Sequence, residues 1–451
     1  MRSDSIRNAM ICRETHGTAR RIRFEGEHDN RGGNARHGRT AGWRKLEDRI
    51  TRSTAVNEAD DRAPWRSGTF HVILAISLMG VMGVSLISPV LPGLREAFAI
   101  SDAQVGLVIT AYTLPGVFLA PFAGLVADRL GRRRVIIPLL FIFGIAGGAI
   151  AVVDSFRMVL GLRFIQGIGA SALVTLGVTL IGDHYDGQQR AAAMGANGSV
   201  LASGAAFYPL LGGGLGAIGW NIPFAFYGIA VIIGIAAVFV LEEPDPEMSR
   251  AFLTYLKEIR MVLLSPAILA VNGAILLVFL LFYGAIQTAL PLLLSDDFGI
   301  ASNWIGGLLS LVAVASAAIS FMYGRFSRAR SLPRLITIGF ACYGFGLIII
   351  AIAGSLPVMA AALLLFGAGF GFMMPSVDLA IAEISPDDLR AGTMGVRTSM
   401  LRIGQTIGPV LFTVTAQAVF PTTVFGYRTL VLVSGIICVG AGLVTYVVVE
   451  Q

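Results

Sequence analysis

Twelve long apolar runs, parted by short polar breaks, fill the chain from residue 72 to residue 449. They fall roughly at 72–94, 104–127, 135–153, 158–182, 191–219, 222–241, 262–294, 304–323, 335–356, 358–383, 391–420 and 429–449. A helix needs about 20 mostly apolar residues to cross the hydrocarbon of a bilayer. Several runs are longer, and these are expected to tilt or to extend past the hydrocarbon. Strand-like alternation over ten residues is absent. Helices are then the only spans that satisfy their own backbone groups in lipid. The pattern predicts an all-α membrane protein with twelve transmembrane helices.

The chain also matches itself at an offset of 200 positions. Phe98 meets Phe298, Gly106 meets Gly306, Gly124 meets Gly324, Arg134 meets Arg334 and Gly144 meets Gly344. Gly167 and Gly169 meet Gly367 and Gly369, and Arg190, Ala191, Met194 and Gly195 meet Arg390, Ala391, Met394 and Gly395. Gly204 meets Gly404 and Pro209 meets Pro409. Compositional bias explains some glycine matches but not arginine, methionine and proline in one ungapped register. Six spans per repeat keep both copies in the same orientation, the parallel-repeat plan whose halves rock about a central site. The predicted organisation is a tail at 1–66, a six-helix bundle at 67–241, a polar linker at 242–261 and a second bundle at 262–451.

Only 14% of the residues are charged, against roughly 25% in a soluble domain. Residues 1–66 hold 15 of the 34 Lys+Arg and lack helical periodicity. They read as a disordered basic tail, and the first apolar run starts too late for a signal peptide. The net charge of +6 is no nucleic-acid signal for the body, because its basic residues sit in short loops between apolar runs. With the N-terminus inside, 13 Lys+Arg lie in inner loops and 3 in outer ones, leaving Arg163, Arg397 and Arg402 within spans. That asymmetry predicts cytoplasmic termini in the plasma membrane. Cys12, Cys342 and Cys438 form no disulfide or metal framework. No phosphate-cradling Walker sequence, catalytic constellation or cofactor motif is present, so neither an enzyme nor a directly ATP-driven pump is expected.

The loop after span 2 reads Gly124-Leu-Val-Ala-Asp128-Arg129-Leu-Gly131-Arg132-Arg133-Arg134. This order, Gly-x-x-x-Asp-Arg-x-Gly-Arg-Arg, resembles the signature of the major facilitator superfamily. Gly124 permits close helix approach and Gly131 a tight turn. The resemblance implies two pseudo-symmetric six-helix bundles and makes Asp128 a latch facing the start of span 11, where a helix N-terminus favours negative charge. The second half keeps Gly324-Arg325 but has Arg328 at the Asp position, so the latch is one-sided. In span 4, Arg163-Phe-Ile-Gln166-Gly167-Ile-Gly169 resembles the family's second motif. A charged residue there costs about 2.5 kcal/mol or more, and the resemblance implies a part in proton coupling or anion stabilisation. Span 5 carries Gly204-Ala-Ala-Phe-Tyr208-Pro209, an imperfect antiporter motif, while span 11 has Gly404-Gln-Thr-Ile-Gly408-Pro409. Small residues and prolines at these places let helices pack closely and kink.

Hairpin arithmetic sets Tyr208 level with residue 165, so its hydroxyl is expected at Arg163 or Gln166. The same arithmetic sets Asp378 level with residue 396, making Arg397 its expected partner. An intramembrane carboxylate is a functional candidate by default. Either Asp378 cycles its proton, or the pair is permanent and structural. Tyr112, Tyr283, Gln287, Met374 and Arg402 are further cavity candidates, since the resemblance implies a central cavity lined by spans 1, 4, 7 and 10. Span 1 has no acid, unlike many drug:proton antiporters of the superfamily.

The resemblance implies a secondary transporter, working as a monomer, that exports small hydrophobic or amphipathic compounds in exchange for protons by alternating access, as in the twelve-span drug-efflux branch. Proton-coupled uptake of an organic acid, with Arg163 or Arg402 holding the anion, is the alternative. A membrane sensor whose basic tail binds a partner or acidic lipids is a third reading.

Overall fold

A computed structural model describes residues 64–243, 266–385 and 389–449, with Lys257 and Arg260. The basic tail and most of the predicted linker lie outside the described residues. The described chain is helical throughout. Its long rods are α1 (Gly68–Phe98), α2 (Asp102–Phe122), α3 (Arg132–Val152) and α4 (Phe156–His184), α5 (Gly187–Gly216), and α6 (Ile222–Val240). The second half has α7 (Val271–Phe298), α8 (Ser302–Ala329), α9 (Leu332–Ile352) and α10 (Leu356–Ile384), α11 (Arg390–Val419) and α12 (Thr423–Val449). Ten of these are long and apolar enough to cross a membrane. The other two, α5 and α11, are each 30 residues long but rich in Gly, Ser, Thr and Gln. Where they meet the other half, at Gly213 of α5 and at Thr406 and Thr413 of α11, their residues are small or polar, so hydropathy underrates them.

The 200-residue repeat is visible as repeated contacts. A Cβ on Gly169 would stand 2.7 Å from the Leu139 carbonyl, and one on Gly369 would stand 2.8 Å from the Gly339 carbonyl. Gly167 abuts the Tyr112 carbonyl of α2, and Gly367 abuts the Val312 carbonyl of α8. Gly144 packs on Ala230 and Val231, and Gly344 on Gly435 and Val439. Each half therefore closes its rods with glycine at equivalent crossings, where only a missing side chain lets backbones approach. The two bundles meet along the same two pairs of rods. Gly106 of α2 sits on the Pro409 carbonyl and Thr413 of α11, and Gly306 of α8 sits on the Pro209 carbonyl and Gly213 of α5.

Local chemistry marks the rod ends. The first rod of each half stops in a left-handed turn, at Ala99 (φ 48°) and Gly299 (φ 62°). Alanine pays roughly 1–2 kcal/mol for that conformation. The first rod of the second half also carries a π-helical turn over Phe282–Ala289. Thr288 donates its hydroxyl to the Tyr283 carbonyl at 2.8 Å, which occupies an acceptor that the irregular turn leaves available. Such turns inside helices frequently mark functional sites.

Candidate functional site

The motif after α2 forms a short helix, Ala123–Leu130, that ends at Gly131. Gly131 has φ 97°, and a Cβ there would meet the Glu243 carboxylate at 2.7 Å. Its conformation is one that L side chains rarely adopt, so glycine is favoured here. Arg132 is paired with Asp128 at 3.1 Å and also with Asp183 at the end of α4. Arg133 donates its backbone N–H to Glu243 at 3.3 Å and its guanidinium to the Val238 carbonyl at 2.6 Å. Arg129 is exposed.

Among the described residues Asp128 takes its ion pair inside its own half, with Arg132, while the resemblance puts its partner at the start of α11. Residues 386–388, just before α11, lie outside the described residues. Gly124 likewise meets nothing within 4 Å, so the close approach expected of it is not made in this structure.

At mid-depth of the first half, Arg163 is wholly buried. It donates to the Gly83 carbonyl at 2.9 Å, the Val108 carbonyl at 3.3 Å and Gln166 Oε1 at 2.8 Å. Its guanidinium carbon lies 4.3 Å from the centre of the Tyr112 ring. Carbonyl dipoles, one amide and a π face therefore replace a counter-ion, which lowers the cost of a charge in lipid. Tyr227 of α6 donates to the same Gly83 carbonyl at 2.8 Å.

The tyrosines that serve Arg163 are therefore Tyr112 and Tyr227, and the expectation for Tyr208 is corrected. Tyr208 is buried beside Gly204, and its hydroxyl makes no hydrogen bond among the described residues. Depth along a hairpin does not say which way a side chain points around its helix. No sequence motif singles out Tyr227.

The second half contributes a different group. Arg402 of α11 lies across the seam against Gly116 of α2, where a Cβ would stand 3.1 Å from its Cδ. It donates to Gln405 Oε1 at 3.1 Å, and its Nε is buried with no partner among the described residues. Arg402 and Arg163 both lie within electrostatic reach of Tyr112, and Arg402 also acts on Tyr283. The seam beside it is tied by Thr110 to the Thr406 carbonyl at 2.8 Å and by Thr406 to Thr113 at 3.0 Å.

Phe282 and Phe370 lie 5.0 Å apart and Phe279 and Phe370 5.9 Å apart, beside Tyr283. Met374, one turn on from Phe370, is half-buried. Gln287 is buried, and its backbone carbonyl accepts from Ser88 of α1 at 2.6 Å, which bonds the two halves. Gly404 and Gly408 press on the α7 backbone at Leu276 and Leu280.

Asp378 of α10 and Arg397 of α11 form an ion pair at 2.5 Å. Asp378 is 54% exposed and Arg397 21%, so this is not a sealed pair. The opposite end of the molecule carries a network that the sequence reading counted only as loop charge. Arg95 bridges Asp102 at 2.8 Å and, across the halves, Asp296 at 2.8 and 2.5 Å. Tyr427 donates to Asp102 at 2.9 Å. Arg428 pairs with Asp297 and caps the Ala351 and Ala353 carbonyls at 2.7 and 2.9 Å. The available signal was the repeat itself, since Arg95 and Asp296 lie 201 positions apart at the ends of equivalent rods. Among the described residues no cluster of metal-ligand side chains occurs.

Comparison with known proteins agrees with this geometry. The family model described as Major Facilitator Superfamily matches residues 73–377 and 273–451, one match over each repeat and its surroundings. The bacillibactin exporter of Bacillus subtilis (strain 168) is 26% identical over 360 residues, covering 75% of this chain and 87% of that protein. Multidrug resistance protein 2 of the same organism is 23% identical over 353 residues, covering 76% and 87%. Among solved structures, a bacterial homologue of the human lysosomal transporter Spinster, in an inward-facing and occupied conformation, aligns with a TM-score of 0.69 at 18% identity, covering 86% of this chain and 97% of that one. The chain belongs to the Major Facilitator Superfamily and is a multi-pass membrane transporter, not an enzyme.

Proposed function

We propose that this transporter exports small amphipathic compounds in exchange for protons by alternating access, with the Asp128 end in the cytoplasm. The thirteen-to-three bias of basic loop residues supports that orientation. One relationship carries the mechanism. The halves are clasped at the Arg95 end by the Arg95–Asp296 pair, while Asp128 at the other end is bound within its own half. In this reading the protein is in an inward-facing state, closed outside and, among the described residues, without a cross-half ion pair from Asp128 inside. Switching then exchanges one ion-pair set for another, which keeps both states within a few kcal/mol of each other. The name of the bacillibactin exporter of Bacillus subtilis supports the direction.

Asp378 and Arg397 are the coupling pair in this reading. Protonating Asp378 removes the attraction that holds Arg397, and α10 and α11 are then free to shift against each other. Exposure of Asp378 gives the proton a route out to the inner side. The test is counterflow in proteoliposomes with and without an imposed pH gradient. Export driven by inward proton movement is expected, whereas accumulation together with protons would support organic-acid uptake instead. Transport that ignores the gradient would remove both.

A further inference from the structure

Deep in the spans, more than five residues from any rod end, the described residues carry four charged groups: Arg163, Arg397, Arg402 and Asp378. Arg397 takes Asp378. Arg163 and Arg402 have no carboxylate partner among the described residues, so the centre of the molecule holds two positive charges in excess. Such charges in a membrane interior normally find an opposite charge or line a path for one.

The two arginines differ in how they are satisfied. Arg163 is saturated by two carbonyls, Gln166 and the Tyr112 ring. Arg402 has one side-chain acceptor, Gln405, and a buried Nε that donates to nothing among the described residues. A buried charged donor left unpaired is costly, and an arriving anion that accepts from it recovers that cost. Arginine is suited to this because its planar fork matches a carboxylate or sulfonate with two parallel bonds. Gln405 brings an amide donor, Tyr283 lies within the electrostatic range of Arg402, and among the described residues no carboxylate pairs with Arg402. Beside Tyr283, half-buried Phe279, Phe282 and Phe370 provide an apolar wall. Tyr283 stands on the π-helical turn of α7, which turns this part of the rod away from regular helical register.

We propose that Arg402, with Gln405 and Tyr283, is the head-group subsite for an anionic amphipath, a compound with one carboxylate or sulfonate and an aromatic or alkyl body. The body lies along Phe279, Phe282 and Phe370, and Arg163 adds field without contact. This inference rests on the transporter reading above and narrows its substrate class. Cationic amphipaths are excluded by the same two charges.

The test uses the purified full-length protein and three probes of one shape: 2-naphthoate, 2-naphthamide and 2-naphthylmethylammonium. Binding is followed by tryptophan fluorescence quenching, and exchange by counterflow in proteoliposomes. Naphthoate is expected to bind about tenfold more tightly than the amide, the worth of one charge-assisted bond, and the ammonium compound more weakly still. Arg402→Met is expected to erase the preference, Arg402→Lys to keep part of it, and Gln405→Leu to weaken naphthoate severalfold. Size-exclusion profiles establish that each variant is folded, and Gln405→Leu decides the matter if Arg402→Met aggregates. Unchanged naphthoate binding in Arg402→Met or Gln405→Leu, tightest binding of the ammonium probe, or binding of none of the three overturns the proposal. Counterflow of the ammonium probe alone would overturn the anion subsite and leave export standing. Arg402-dependent binding without counterflow would do the reverse.

Discussion

Arg95 crosses from the first half to the second and takes Asp296 through two hydrogen bonds, at 2.8 and 2.5 Å, while holding Asp102 at 2.8 Å on its own side. One guanidinium therefore ties together the end of α1, the start of α2 and the end of α7. Tyr427 of α12 completes the group by donating to Asp102.

The first prediction concerns that clasp. The side chains of Arg95 and Asp296 are 19% and 21% exposed, so solvent screens the pair in part. Its removal is worth about 1 kcal/mol, or about a fivefold shift in the ratio of two states. Asp296→Asn should move the population toward the outward-open form. Spin labels on the outer ends of α1 and α7 should report a larger share of the long distance. An unchanged distance distribution would mean that Arg95 only decorates the surface.

At the other end, Asp128→Asn removes one of the two carboxylates on Arg132 and leaves Asp183. Insertion and folding should persist, because the motif lies outside the spans. Transport should fall, because the inner latch then lacks its acid in the opposite state. Asp183→Asn should do less, as Asp183 stays within the first half whichever state forms. Equal and normal transport by both variants would count against the latch.

Asp378→Asn is the third prediction. It leaves Arg397 with a neutral partner and no proton to exchange. Counterflow, which needs no coupling, should continue, while the response to a pH gradient should vanish. If gradient-driven transport stays normal, Asp378 and Arg397 merely tie α10 to α11.

Much of this architecture was legible in the sequence, for reasons that differ from element to element. Spans show because lipid tolerates so few charges, and the repeat shows because its glycines stand at backbone crossings where no side chain fits. Gly169 and Gly369 are such a pair. The juxtaposition of Asp378 and Arg397 follows from counting along a hairpin, since both face the interface of their two helices. Tyr208 shows where counting stops. It gives depth but no azimuth, and the hydroxyl that shares the Gly83 carbonyl with Arg163 is that of Tyr227 of α6. The π-helical turn of α7 was invisible because a helix apolar on all sides has no hydrophobic stripe whose phase could slip. α5 and α11 show in the sequence as apolar runs but fall short of a spanning hydropathy, because Gly213 of α5 and Thr406 of α11 sit where the two halves meet. Arg95 reads in the sequence as an orienting charge, and only the repeat, which makes the ends of α1 and α7 equivalent, points to Asp296.

The last prediction uses the glycines to separate stability from switching. Gly169 and Gly369 each press on the backbone of a neighbouring rod, with the Leu139 and Gly339 carbonyls 2.7 and 2.8 Å from where a Cβ would stand. Backbone cannot rotate away as a side chain can. Gly169→Ala and Gly369→Ala should therefore destabilise by about 1–3 kcal/mol each, the ordinary cost of overpacking. The two losses should be similar because the crossings are equivalent. Gly124 and Gly324 meet nothing within 4 Å in this state. Alanine at either place should leave the apparent melting temperature unchanged, or raise it slightly by stiffening the unfolded chain. Gly124→Ala should nonetheless slow transport, because the inner ends must close on it in the outward-facing state, and a methyl group then stands in the seam. The experiment is a thermal-stability series read by size exclusion beside initial transport rates. A stable and fully active Gly124→Ala protein would show that the inner end never packs there, and the closing motion assigned to it would have to run through other residues.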